Sequence, residues 1–176
     1  MKVLVIDDKV QHQESARTIL AQDGHEAIVV GSYDEAIDIL VPGNGFDAVL
    51  SDMMMPMSPR DLGRGIYDSN KQMPYGFVLA LRAAAAGAKY VAVVTDTNHH
   101  ADPISAALDR IGGFEGDKEA WNCAWEDGAL EPRFEINSAK AFFIHAPLVN
   151  GAKDWGRVLA ALTGNPKPAE VISTTY

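Results

Sequence analysis

The chain has 176 residues, 47% of them hydrophobic, a formal net charge of −9, a pI near 4.9 and a single cysteine, Cys123. That length suits one domain spanning 1–176 with insertions, large enough to bury a core without staples. The acidic balance argues against nucleic-acid binding, which needs a basic patch, and the lone cysteine excludes an internal disulfide or a cysteine-rich zinc site. With no charged-then-apolar leader and no apolar run of about 18 residues, a cytoplasmic protein off the membrane is expected.

In chain order, residues 2–6 read as a buried strand and 11–22 as a helix, with Ala16, Ile19 and Leu20 at core spacing and Gly24 past its end. A second strand follows over 25–30. Ser32 and Glu35 form a capping box ahead of Ala36, Ile37 and Leu40, and the turn at 42–45 ends that helix. A third strand is expected over 47–52, a helix over 76–86, a fourth strand over 89–95 and a helix over 103–111. A fifth strand over 140–145 and a last helix over 153–162 follow, the latter with Trp155, Val158, Leu159 and Leu162 inward. Strands alternating with helices predict an α/β fold with a parallel sheet covered on both faces.

Two stretches break the rhythm. Residues 57–75 are turn-rich and read as a long loop after the third strand, and 112–138 form an acidic insertion carrying Trp121 and Trp125. Four residues apart, the two tryptophans would share a helix face, more often for packing than for partner binding. Residues 163–176 are a short tail.

The chemistry concentrates at strand ends. Asp7 and Asp8 follow the first strand and Asp52 closes the third, outside the carboxyl edge of a parallel sheet, where open α/β folds bind ligands. Carboxylates packed together raise one another's pKa unless a cation holds them, and a hard all-oxygen set suits Mg²⁺. Each aspartate taken alone also fits a turn-forming role.

The ordered set of Val3 to Asp8, Asp47 to Pro56, Gly76 to Arg82 and Val91 to Thr95 resembles the receiver domain of two-component response regulators. The resemblance implies a flavodoxin-like, doubly wound five-stranded parallel sheet of order 2-1-3-4-5, with insertions after strand 3 and before strand 5. It implies phosphorylation of Asp52 by a histidine kinase, a phosphotransfer protein or a small phosphodonor. Mg²⁺ would be bound by Asp7, Asp8, Asp52 and the Met54 carbonyl, and Thr95 would contact the phosphoryl group. The chain departs from the family pattern at Ala146, which stands before Pro147 where the family carries a lysine. That departure predicts an unpaired charge at the site, with Lys153 the only neighbouring lysine able to substitute. Asp96, where the family has a small residue, would enlarge the metal site, repel the phosphoryl group or, the preferred reading, turn outward. His145 reads as a half-buried strand residue, and His99, His100 and Asp102 do not fix a ligand set.

The function expected is a stand-alone, phosphorylation-regulated switch acting through a protein partner, with neither nucleic acid nor membrane involved. A receiver-like interaction module that no longer switches is the alternative. A Mg²⁺-dependent phosphatase of the haloacid-dehalogenase type is disfavoured, because it needs an acid two residues after its nucleophile and Lys9 and Val10 stand there.

Overall fold

The computed structural model describes residues 1–62, 71–98, 100, 102–111 and 134–165. A central sheet is built from β1 (Lys2–Ile6), β2 (Glu26–Val30), β3 (Ala48–Asp52), β6 (Tyr90–Thr95), β7 (Phe134–Ile136) and β8 (Ala139–His145) in the order β2-β1-β3-β6-β8-β7. The first five strands in that order are parallel, which is the expected 2-1-3-4-5 arrangement. The sheet nevertheless has six strands, not five, because β7 pairs antiparallel with β8 at the edge. This strand falls in the stretch read as insertion. Asn137 and Ser138 join the two strands with φ of 48° and 68°, the pair of positive angles a tight hairpin turn requires.

Side chains alternate across the sheet and feed two cores. Leu4, Ile6 and Val49 pack with Ala36 and Leu40 of the α2 region (Tyr33–Ile39) and with Leu79, Ala80 and Ala83 of α4 (Tyr75–Ala85). Val3, Val5 and Leu50 face the other way, onto Ala16 and Leu20 of α1 (Val10–Gln22) and Trp155, Val158, Leu159 and Leu162 of α6 (Trp155–Leu162). Period-two alternation in the strands thus selects which helix covers each face. The helix α5 (Pro103–Ile111) joins β6 to the later strands. No helix among the described residues is long and apolar enough to cross a membrane.

Local signals acted largely as expected. The Ser32 hydroxyl accepts the Glu35 N–H at 3.2 Å, while the Glu35 carboxylate reaches back one residue further than a standard capping box, to the Gly31 N–H at 2.9 Å. Among its described residues, the segment expected as a long loop, 57–75, carries short elements, one of them paired with a strand just before it. The strands β4 (Met55–Pro56) and β5 (Gln72–Met73) pair antiparallel, and α3 (Pro59–Leu62) lies between them. Tyr75 fastens this excursion, stacking on Tyr33 at 3.9 Å and donating its hydroxyl to Asp61 at 2.7 Å.

The last helix also begins later than expected. Lys153 is not its first residue but the end of a second hairpin, β9 (Leu148–Val149) with β10 (Ala152–Lys153), and Asp154 caps the helix by accepting the Arg157 N–H at 3.0 Å. Asn150 and Gly151, with φ of 52° and 78°, make the turn. Trp121, Trp125, Cys123 and His99 lie outside the described residues.

Candidate functional site

Register assembles the site. Ile6 pairs with Ser51 and Asp52 with Val94, so Asp7, Asp52 and Thr95 emerge together at the carboxyl edge of three adjacent strands. One carboxylate oxygen from each of Asp7, Asp8 and Asp52 lies within 4.8 Å of the others, the only such acidic cluster among the described residues. Asp7, Asp52 and Thr95 are buried and Asp8 is half-buried. Met54 sits in the turn after β3, partly buried against the core. Gly76 lets α4 approach this turn, since a β-carbon there would collide with the Asp52 carbonyl oxygen and stand 2.8 Å from the Met53 Cα.

The group that organises the cluster is Lys153. Its fully buried ammonium donates to Asp7 Oδ2 at 2.8 Å and Asp52 Oδ1 at 2.7 Å, with the Val94 carbonyl at 3.4 Å. The expected unpaired charge at the site is therefore overturned. Ala146 does stand before Pro147, where its N–H donates to the Thr95 carbonyl at 2.7 Å, but the following hairpin turns the chain back and returns Lys153 to the carboxylates. Lys153, expected to open the last helix and to be the one lysine able to substitute, instead ends β10 and meets Asp7 and Asp52. The signal that could have placed it is Asn150-Gly151 between Leu148-Val149 and Ala152-Lys153, since Asn-Gly is the strongest local mark of a two-residue hairpin turn.

Electrostatics follow from this packing. Burial pushes the Asp52 carboxyl up to about 7, against the opposing pull of Lys153. Burial also works against the Lys153 ammonium, but Asp52 and Asp7 overcome it and hold the amine above its ordinary range. Asp8 is raised by burial and by neighbouring Asp7, and its Oδ1 is buried with no hydrogen-bond partner. Asp52 Oδ1 takes both described bonds, from Lys153 and from the Met53 N–H at 2.8 Å. Oδ2 takes neither of these bonds.

With all three carboxylates ionised, one ammonium leaves two negative charges, and the buried Asp8 Oδ1 has no hydrogen-bond partner; this donor set fits a divalent, oxygen-seeking cation that would displace the proton burial favours on Asp52.

Asp96 does not turn outward. It accepts from Lys9 Nζ at 2.5 Å and lies 3.2 Å from His12 Nε2 and 3.8 Å from Lys153 Nζ. Burial would raise its pKa, but the bond from Lys9 and the Lys153 charge hold it at about 2. Ion-pair partners arriving from α1 and from the hairpin turned it inward, and neither is adjacent in sequence. Asp102 is committed to capping α5, accepting the N–H groups of Ile104 and Ser105, both at 3.3 Å. His145 is half-buried in β8, opposite Thr95. The buried His12 was not expected to take part.

No family model and no curated relative matches the chain. Among solved structures it is similar to the solution structure of a response regulator protein from Burkholderia multivorans, at 21% identity, with 96% of this chain and 97% of that chain covered and a TM-score of 0.38. A likeness that distant leaves function to be argued from the chain's own residues.

Proposed function

We propose that the chain is a receiver-type phosphoacceptor, in which Asp52 takes a phosphoryl group in the presence of Mg²⁺ and the charge change is passed to a protein partner. The observation that carries this reading is the buried Lys153 ammonium bridging Asp7 and Asp52, beside an Asp8 oxygen without a partner. One ammonium balances one carboxylate, whereas Lys153 bridges two and a third, Asp8, lies beside them, which leaves charge for a ligand to neutralise when all three are ionised.

Asp52 Oδ2 attacks the phosphorus of a donor such as acetyl phosphate or a phosphohistidine. The new O–P bond forms as the bond from phosphorus to the leaving group breaks, and the leaving group departs with the electron pair. The Lys153 ammonium, already 2.7 Å from Asp52, moves its hydrogen bonds to the incoming phosphoryl oxygens. The Thr95 hydroxyl accepts the Thr97 N–H at 3.0 Å and keeps its own proton to donate. Asp7, Asp8, Asp52 and the Met54 carbonyl would hold the Mg²⁺, which when bound supplies neutralisation of the acids and polarisation of the phosphoryl oxygens.

Coupling outward begins at Thr95. Its hydroxyl is tied to Thr97, whose carbonyl accepts the Ser105 hydroxyl of α5 at 2.9 Å. Drawing Thr95 toward a phosphoryl group therefore pulls on the loop at 96–98 and on α5, and the output face comprises α5, β8 and α6. A histidine kinase or phosphotransfer protein supplies the group in this reading.

Intact-mass analysis after incubation with Mg²⁺ and acetyl phosphate tests it. One phosphoryl mass increment, lost in Asp52→Asn and dependent on Mg²⁺, is expected. An unmodified wild-type chain overturns the reading in favour of a silent interaction module.

A further inference from the structure

We infer that His12, held by Asp96, is a positioning residue that sets where the Lys153 ammonium lies. This rests on the phosphoacceptor reading above and identifies what aims its cation.

Lys153 is delivered by a hairpin whose strands are two residues each, too short to hold a register unaided. Helix α1 supplies the hold. The Lys153 N–H donates to His12 Nδ1 at 3.3 Å, the Ser15 hydroxyl donates to the Lys153 carbonyl at 2.8 Å, and Trp155 Nε1 donates to the His12 carbonyl at 3.0 Å. A ring nitrogen of neutral histidine accepts only when the other carries the hydrogen. His12 must therefore keep its hydrogen on Nε2, and that nitrogen points at Asp96 Oδ2, 3.2 Å away. Asp96 is in turn gripped by Lys9 at 2.5 Å. A chain of contacts thus runs from Lys9 through Asp96 and His12 to the backbone of Lys153; Asp96 also lies 3.8 Å from Lys153 Nζ and the Lys9 N–H donates to Asp7 Oδ1 at 2.9 Å, whereas the His12 ring, among the described residues, hydrogen-bonds only Asp96 and the Lys153 N–H.

His12 is 2% exposed with both ring nitrogens engaged. An aromatic hydrocarbon of similar size would fill the same space, but it would strand the Lys153 N–H and free the hairpin to shift. Small misplacements of a positioned group cost up to about a hundredfold in rate.

The test compares His12→Phe and His12→Asn in the full chain, reading the initial rate of Asp52 modification by intact mass with Mg²⁺ and acetyl phosphate, alongside thermal unfolding. Asparagine offers a carboxamide oxygen close to the Nδ1 position, and phenylalanine offers only volume. His12→Phe should fall about tenfold while His12→Asn stays within about threefold of wild type. The opposite ranking, with Phe the better substitute, is what a space-filling role predicts and overturns the inference. Nitrogen-15 NMR of the wild-type imidazoles gives a second reading that needs no variant to fold. His12 should show the Nε2–H tautomer, and an Nδ1–H tautomer overturns the inference. If the wild type is modified and His12→Phe matches it, the clamp fails and the phosphoacceptor reading stands. An unmodified wild type removes that reading and, with it, the role inferred for His12.

Discussion

Replacing Lys153 by methionine keeps the length of the buried stem and removes the ammonium that Asp7 and Asp52 share at 2.8 and 2.7 Å. A charge-assisted hydrogen bond of this kind contributes about 1.5 to 3 kcal/mol, so phosphorylation should slow by about 10- to 100-fold. Stability changes too, because removing one member of a buried ion pair costs about 3 to 5 kcal/mol. The pH dependence of that cost has a definite sign. Asp52 is raised from 3.8 to about 7, so between those values the folded chain binds a proton that the unfolded chain does not, and wild-type stability falls as pH rises through this window. Without Lys153 the Asp52 carboxyl rises further and the window extends upward, so the gap between variant and wild type should be wider at pH 8 than at pH 6. Lys153 itself, raised above its ordinary value, contributes stability up to the unfolded lysine range near 10.4 that is lost as pH rises through its folded value. Intact mass with Mg²⁺ and acetyl phosphate measures the first effect, and chemical denaturation at the two pH values the second. Wild-type modification of Lys153→Met while Asp52→Asn stays silent would refute the argument. So would a several-fold gain from Ala146→Lys, since the ammonium position is already filled.

Three further outcomes are expected. Mg²⁺ titration followed by backbone NMR should lose its response in Asp8→Ala, and in the wild type its apparent affinity should weaken as pH falls through about 7, where the Asp52 proton competes; an affinity flat from pH 6 to 8 counts against Asp52 as a ligand. Asp96, held at about 2 instead of 3.8, contributes stability above the ordinary carboxylate range that is lost as pH falls from about 4 to 2. Asp96→Ala should flatten that limb of an acid-unfolding curve by up to about 2 kcal/mol, reduced by its partial exposure. Gly76→Ala should destabilise by about 1 to 3 kcal/mol, because the added methyl meets the backbone of Asp52 and Met53; an unfolding midpoint like wild type's would show that α4 can move away from the site strand.

What the sequence determined by itself is local or periodic. Apolar runs ending in acids marked β1 and β3, the Ser32–Glu35 pair marked the start of α2, and the alternation of elements implied a parallel sheet with acids on one edge. These signals survive because a strand's neighbours in sequence decide which face is apolar and where the strand stops. The pairing of distant elements followed other information. Lys153 reaches Asp52, 101 positions away, only because a two-residue turn reverses the chain and α1 clamps the hairpin. Asp96 is drawn inward by Lys9 and His12, both more than 80 positions distant. A charged residue's surroundings in the fold, and not its sequence neighbours, determine whether it is solvated or buried and paired. For that reason the acids were legible from the sequence, whereas the cation that answers them was settled only by the tertiary structure.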